Sequence, residues 1–415
     1  MDKQDKHRKW LRCMCIFLGV VLLFTGCTGP GSPATVPGNT TPPGDTGPIS
    51  SLRTGIATQG IYEIENASEY TEDGIYVMYE YGYDTFLLYA DHGSDTFVKL
   101  CGRPDCDHTG EDCNAHFYYC HNICYYDGYL YAIETAGSRA RLYRMNPDGT
   151  DRVSMVTSTD VGDVGGYSSL FGPLVCNGVF LFHLTDVNED GETVAKSFYY
   201  RLDGSMEKPE PMNISSVAAF SDGENIMTYG EAKSGIDEQL GIYRWDAETN
   251  TSIYLADLPM GIAGGYWGAE TGYYLKDGII YQLHYADGSS EALFDTGLES
   301  GYQMSCFPDC IVIDKGCTQE ERNAGKQIED QVLYIYDWDF QLQGQVDIDY
   351  PMEISGEYVL CGETPDRLLL AAKRIGVPEY YIEKSDFGTG NIEIHPFNLP
   401  ELPGMGDEAE TDEQG

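Results

Sequence analysis

Residues 127–150 read DGYLYAIETAGSRARLYRMNPDGT, and this stretch decides the fold class. Asp127-Gly128 is a two-residue turn pair, because both residue types tolerate the positive φ that a tight hairpin demands. YLYAI then supplies bulky and β-branched side chains without the i, i+3, i+4 spacing of an amphipathic helix, so it reads as a strand. RLYRM is a second strand, and Asn146-Pro147-Asp148-Gly149 closes it with another turn. Short strands bounded by such turns are antiparallel hairpin chemistry.

The unit recurs along the chain. A bulky residue followed by tyrosine appears as Leu88-Tyr89, Leu142-Tyr143, Tyr199-Tyr200, Ile242-Tyr243, Ile280-Tyr281, Leu333-Tyr334 and Tyr380-Tyr381, with successive tyrosines 38 to 57 residues apart. Turn pairs open an upstream strand at Asp73-Gly74, Asp127-Gly128, Asn177-Gly178 and Asp222-Gly223, and a further strand follows downstream, as in RVSMV after Thr150. Three or four short strands cannot bury both faces of their own sheet. A ring of such sheets packs each on its neighbours and leaves only short edges. Seven copies therefore predict an all-β chain folded as a seven-bladed β-propeller over residues 57–400, with six or eight blades, or two stacked β-sandwiches, as the alternatives. The stretch GIYEIEN, residues 60–66, is placed to pair with the last blade and close the ring.

Blades of the form DGYLYAI…RLYRMNPDGT resemble those of TolB-type and related propellers found in exported bacterial lipoproteins of uncharacterised families. The resemblance covers most of residues 57–400 and rests on strand and turn residues. It implies an extracytoplasmic binding or scaffolding module and carries over no catalytic residues.

The N-terminus supports the same placement. Lys3, Lys6, Arg8, Lys9 and Arg12 precede an uncharged run, CMCIFLGVVLLF at 13–24. As a helix those residues rise only ~18 Å, too short for a hydrocarbon core of roughly 30 Å, so residues 1–26 read as an export signal. The run leads into Phe24-Thr25-Gly26-Cys27, which resembles the bacterial lipobox. That resemblance implies a lipid anchor (diacylglyceryl and palmitate-type chains) on Cys27 and a location on the extracytoplasmic face of the cell membrane, since two or more chains on one cysteine hold stably. Residues 27–56 are rich in Pro, Gly and Thr and read as a disordered tether, and residues 401–415 as an acidic, solvated tail.

Asp plus Glu outnumber Lys plus Arg 67 to 25, a formal charge of −42, so a phosphate backbone is repelled and nucleic acid is excluded as a partner. With 42% hydrophobic and 22% charged residues the chain is nonetheless a globular one.

The most unusual local feature is CGRPDCDHTGEDCNAHFYYCHNIC, residues 101–124. Cys101, Cys106, His108, Cys113, Cys120 and Cys124 read as a disulfide or metal set, with free thiols as the third alternative: three thiolates and an imidazole suit tetrahedral zinc, whereas exported proteins usually pair such cysteines. Ten cysteines lie beyond Cys27, five in this cluster, three at Cys306, Cys310 and Cys317, and two isolated at Cys176 and Cys361, so the connectivity is not readable from sequence. In either form the segment is expected to clip the exit of the first blade. Asp186, Asn188 and Asp190, followed by Gly191, match the start of a calcium loop, since alternate oxygen donors and a turning glycine suit a hard cation. Position twelve of such a loop would be Ser197, so the stretch also reads as an acidic hairpin tip.

No G-x-S-x-G elbow, H-E-x-x-H pair or phosphate-binding glycine loop occurs in the sequence. Two function classes follow. The favoured one is a membrane-anchored binding or scaffolding protein that presents a propeller surface to a peptide, glycan or protein partner. The other is an extracytoplasmic carbohydrate-active hydrolase or lyase with its site in the propeller funnel.

Overall fold

The computed structural model describes residues 67–401, apart from 72, 104, 111, 137–138, 158–169, 188–192, 222–225, 233–239, 260–261, 263, 269, 299–301, 316–330, 349–358 and 372–376. The export signal, Cys27, the tether, residues 60–66 and nearly all of the acidic tail lie outside this set. Seven antiparallel sheets form a ring, a seven-bladed β-propeller, and each sheet is built from consecutive strands. Blade 1 comprises β1 (Ser68–Tyr70), β2 (Gly74–Tyr81), β3 (Asp84–Asp91) and β4 (Val98–Lys99), with β5 (His116–Tyr118) also pairing β3. Blade 2 follows with β6 (Cys120–Tyr126), β7 (Tyr129–Ala136), β8 (Arg139–Met145) and β9 (Val153–Thr157). Blades 3 to 7 span residues 170–211, 214–257, 265–295, 302–348 and 359–396, each with four strands in sequence order.

The turn pairs do what their residue types dictate. Asp127 and Gly128 (φ 48° and 81°), Asn177 and Gly178 (47° and 72°), and Asp277 and Gly278 (51° and 76°) all take positive φ at both central positions, the twist that matches a hairpin. The first two join the first and second strands of their blades; the third joins the second and third strands of blade 5.

Packing explains why the second strands read as unbroken apolar runs. Successive side chains of a strand point to opposite faces, and here both faces are covered by a neighbouring blade. In β7, Leu130 and Ala132 pack toward blade 1, while Tyr131 and Ile133 pack toward blade 3. The buried apolar side chains divide into seven clusters, one at each seam between adjacent blades.

All seven bulky-Tyr dipeptides fall on the third strand of their blade. Their phase is not uniform, however. Tyr143, Tyr200, Tyr243, Tyr281 and Tyr334 face the preceding blade. In blades 7 and 1 the tyrosines Tyr381 and Tyr89 instead face the following blade, and Tyr380 and Leu88 take the other side. Because the side-chain period of a strand is two, a one-residue offset exchanges the faces. The exchange is confined to the two blades that meet where the ring closes.

That closure is made by side chains and loops. Phe97 N–H donates to Asn398 O at 2.9 Å and Asn398 N–H to Asp95 O at 2.7 Å, with Phe97 and Phe397 rings 5.0 Å apart. Arg367 donates to Ser94 O at 2.6 Å, Gly93 O at 3.1 Å and Glu383 at 3.0 Å, and lies over the Tyr381 ring at 4.0 Å. Tyr70 donates to Cys361 O at 3.3 Å, and a Cβ on Gly362 (φ +150°) would strike the Tyr70 ring.

Aspartates organise the turns between third and fourth strands. In the triplets Asp148-Gly149-Thr150, Asp203-Gly204-Ser205 and Asp287-Gly288-Ser289, the aspartate Oδ1 accepts the backbone N–H two residues on at 3.0, 2.9 and 3.0 Å. These bonds to the charged form, together with the neighbouring hydroxyls, hold Asp148 and Asp287 below the usual carboxylate range and bring Asp203 down to about 2.

Two predictions follow from closure and turns. Arg367→Ala leaves two carbonyls and Glu383 unpaired and should cost about 3 kcal/mol in urea unfolding. Arg144→Ala, which removes a cation lying over the half-exposed Tyr129, should cost under about 1 kcal/mol. Carboxylates depressed in the folded state contribute stability above their unfolded pKa of about 4, and that stability is lost as pH falls through the folded value. The melting temperature should therefore drop between about pH 4 and pH 2, and a variant with Asn at Asp148, Asp203 and Asp287 should show a shallower drop over that window.

Candidate functional site

The cysteine-rich segment is an insertion in the outermost strand of blade 1. Leu100 N–H donates to Leu87 O at 2.9 Å, and Leu87 N–H donates to Ala115 O at 2.7 Å. Residues 101–114 therefore leave β3 and return to it at the same residue, and β4 and β5 are the two halves of one interrupted edge strand. The return is fixed from blade 2. Arg152, just before β9, donates to Cys113 O at 3.0 Å, Asn114 O at 2.9 Å and His116 O at 3.0 Å, and its guanidinium lies 3.6 Å from the Phe117 ring centroid. Burial lowers Arg152 from its ordinary pKa, yet it stays charged, as arginine does in proteins.

The structure brings together four of the six residues singled out in this segment. One donor atom from each of Cys101, Cys106, His108 and Cys113 lies within 4.8 Å of the others, and His108 Nδ1 is 3.4 Å from Cys113 Sγ. Cys120 and Cys124 are elsewhere, on β6. Cys120 is buried in the seam between blades 1 and 2, and the Cys124 thiol donates to Val175 O of blade 3 at 3.7 Å. None of Cys101, Cys106, Cys113, Cys120, Cys124, Cys306, Cys310 and Cys361 is in a disulfide. Cys317 and the side chain of Cys176 lie outside the described residues.

Electrostatics differ around the four. Arg103 donates to Cys106 Sγ at 3.1 Å and, from its other nitrogen, to Asp112 at 3.2 Å. Burial pushes the Cys101 thiol up, but hydrogen bonds from Arg103, Cys106 and Cys113 outweigh it and leave the group below its ordinary value. Burial pushes Cys113 up to about 12. Burial, with Lys99 and Arg103 nearby, lowers His108, which keeps the ring neutral, the form in which an imidazole nitrogen can ligate. The set can hold a soft or borderline cation.

Asp186 lies near the end of the second strand of blade 3, where its Cα partner is Val194. Its side chain, Asn188 and Asp190 lie outside the described residues.

Sequence reasoning missed three features. Asp309, Cys310 and Glu363 converge across the seam of blades 6 and 7, but Lys384 sits among them, donating to both Asp309 oxygens at 3.0 and 2.9 Å and to Glu363. Burial raises Glu363 to about 7 while Lys384 pulls it down. An ammonium already occupies this acidic group, so it serves as an inter-blade tie. The second is a group of tyrosines at one end of blade 1. Tyr83 is 70% exposed on the turn between β2 and β3, Tyr118 is 44% exposed, and the rings of Tyr83 and Tyr119 are 5.1 Å apart. Their positions 35 residues apart in sequence hid the grouping. A third surface, a groove of about 420 Å³ lined by Gln345, Asp347, Asn391 and Ile392, lies at the outer rim of blades 6 and 7.

No family model and no curated protein matches the chain. Solved structures do match in shape. An uncharacterised protein of Listeria monocytogenes has 10% identity and a TM-score of 0.42, with 66% of this chain and 83% of that one covered. A puromycin hydrolase has 15% identity and a TM-score of 0.46, covering 79% of this chain, which spans only 52% of the hydrolase. The β-propeller domain of a trilobed protease from Pyrococcus furiosus has 10% identity and a TM-score of 0.37, covering 66% and 95%. These likenesses concern the fold alone.

If Arg152 is the latch of the insertion, Arg152→Met should speed proteolysis and amide exchange within residues 101–118, with exchange in blades 4 to 6 unchanged.

Proposed function

We propose that this chain is a membrane-anchored extracytoplasmic binding or scaffolding protein, held by a lipid on Cys27 and presenting its propeller to a glycan, peptide or protein partner. The observation that supports this reading is the tyrosine group of blade 1. Large aromatic rings left in water at one end of a blade, 70% exposed at Tyr83 and 44% at Tyr118, are side chains whose burial awaits a partner. Flat rings of this kind stack on the apolar faces of sugars and on peptide side chains. The signal and tether read from the sequence support a position outside the membrane, within reach of such partners.

Two experiments test the parts separately. Cys27→Ala should release the protein from membranes or block processing; unchanged membrane retention with an unshifted mature mass would overturn the anchor. For the face, the mature domain is screened against cell-wall and dietary glycans and used for capture from intact cells. Replacing Tyr83 and Tyr118 by Ala should weaken captured partners at least tenfold, about 1.4 kcal/mol. Replacing the exposed Tyr254 of blade 4 should leave them unchanged. Equal loss in both variants would remove the tyrosine face from the proposal, and turnover of a bound glycan would move the protein to the hydrolase or lyase class.

A further inference from the structure

We propose that Cys101, Cys106, His108 and Cys113 form a closed tetrahedral zinc site that pins the inserted loop of blade 1. The geometry is that of a cage. Zinc–sulfur bonds of ~2.3 Å and a zinc–nitrogen bond of ~2.0 Å at tetrahedral angles put sulfurs about 3.8 Å apart and sulfur and nitrogen about 3.6 Å apart. The four donor atoms lie within 4.8 Å of one another, and the His108 Nδ1 to Cys113 Sγ distance is 3.4 Å. A disulfide would draw two sulfurs to about 2.05 Å and leave one thiol and the imidazole over. No such bond is present.

The backbone is committed to the arrangement from both ends. Leu100 and Ala115 are fixed to Leu87, so the loop must turn back on itself, and Arg152 holds Cys113 and Asn114 by their carbonyls. His108 sits at φ 60°, in the left-handed region that a non-glycine residue enters at a cost, and in this conformation its Nδ1 faces the Cys113 sulfur. Charge also fits. On binding, the three thiols give up their protons, and three thiolates with one Zn²⁺ leave a net charge of −1. Arg103, paired with Asp112 at 3.2 Å, donates to Cys106 Sγ at 3.1 Å as an outer-shell hydrogen bond to a thiolate ligand. A donor set of three sulfurs and one nitrogen, with no carboxylate, selects zinc over calcium or magnesium. With four protein ligands there is no open position for substrate, so the site is structural.

The test uses the mature chain purified under reducing conditions from zinc-replete medium. Elemental analysis should give one zinc per chain. Peptide mapping after iodoacetamide should find Cys101, Cys106 and Cys113 protected until a chelator is added. Co²⁺ in place of zinc should give thiolate-to-cobalt charge-transfer absorption. Cys106→Ser and His108→Ala should each weaken Co²⁺ binding at least about tenfold, the cost of losing even an outer-shell partner. Cys124→Ser, away from the cage, should leave it unchanged. The proposal is overturned by zinc well below one per chain after reconstitution, or by equal alkylation of the three thiols with and without Zn²⁺. It is equally overturned by unaltered Co²⁺ affinity in both ligand variants, or by a native disulfide among the three. The alkylation and metal readouts need no variant, so a misfolded mutant does not shelter the idea.

Discussion

The ring depends on the joint between its first and last blades. Every other seam joins neighbours in sequence, where the connecting chain already holds the two sheets close. This one must bring together residues nearly three hundred positions apart, and no described strand crosses from one sheet to the other to help. Among the described residues, the loop-closure entropy is offset by side chains and loop backbone. Arg367 carries most of the polar part: it is almost fully buried, satisfies two carbonyls of blade 1 and pairs with Glu383 of its own blade. The apolar part is the cluster around Phe97, Tyr381 and Phe397. The one-residue phase change of Tyr89 and Tyr381 belongs to the same joint, since it decides which faces meet there.

Positive charge is scarce in a chain with 67 acidic and 25 basic residues, and its placement is not even. Three buried or largely buried cations tie three consecutive seams: Lys384 between blades 6 and 7, Arg367 between 7 and 1, and Arg152 between 1 and 2. The remaining seams, among the described residues, are packed with aromatic rings, and the seam of blades 3 and 4 is also tied by Asn250, which donates to Pro211 O at 3.0 Å. Phe180, Phe182 and Phe198 stack between blades 2 and 3, Tyr199 meets Trp245 edge-on between 3 and 4, Trp267, Tyr274 and Tyr281 stack between 4 and 5, and Phe294 meets Tyr336 between 5 and 6. Cations that hydrogen-bond several carbonyls impose direction, which aromatic contact alone does not. These cationic ties lie at the joint where the ring registers with its own start and at the seams on either side of it.

What was legible in the sequence was local. Asp127-Gly128 and Asn177-Gly178 announce hairpins because few residues accept positive φ, and YLYAI announces a strand. The dipeptides located the third strand of every blade. Their phase was not legible, because the face a tyrosine takes in blades 7 and 1 is set by a contact across the whole chain. Nor was the interrupted edge strand: β4 has two residues, Val98 and Lys99, too few to carry a pattern, and its continuation lies beyond the insertion. The spacing of Cys101, Cys106, His108 and Cys113 did suggest a common site, whereas Cys120 and Cys124 looked equivalent only because sequence distance does not register that β6 has already begun. Arg152 carried a weak signal, a rare cation two residues after the Asp148-Gly149-Thr150 turn.

The insertion also explains how blade 1 can carry an exposed face without losing its edge. An outermost strand normally contributes a continuous ladder; here that ladder is cut at Leu87 and resumed at the same residue, so the loop between can be held or released without disturbing β2 or β3. β5, three residues long, is held by its bonds to β3, the His116–Asp84 contact at 2.8 Å, the carbonyl grip of Arg152 and the burial of His116 and Phe117. Tyr118 and Tyr119 sit at the end of this short strand, where Tyr119 N–H donates to Tyr83 O at 3.2 Å. The cysteine loop and the aromatic group are therefore joined by one short strand, which its buried His116 and Phe117 anchor beneath the blade edge.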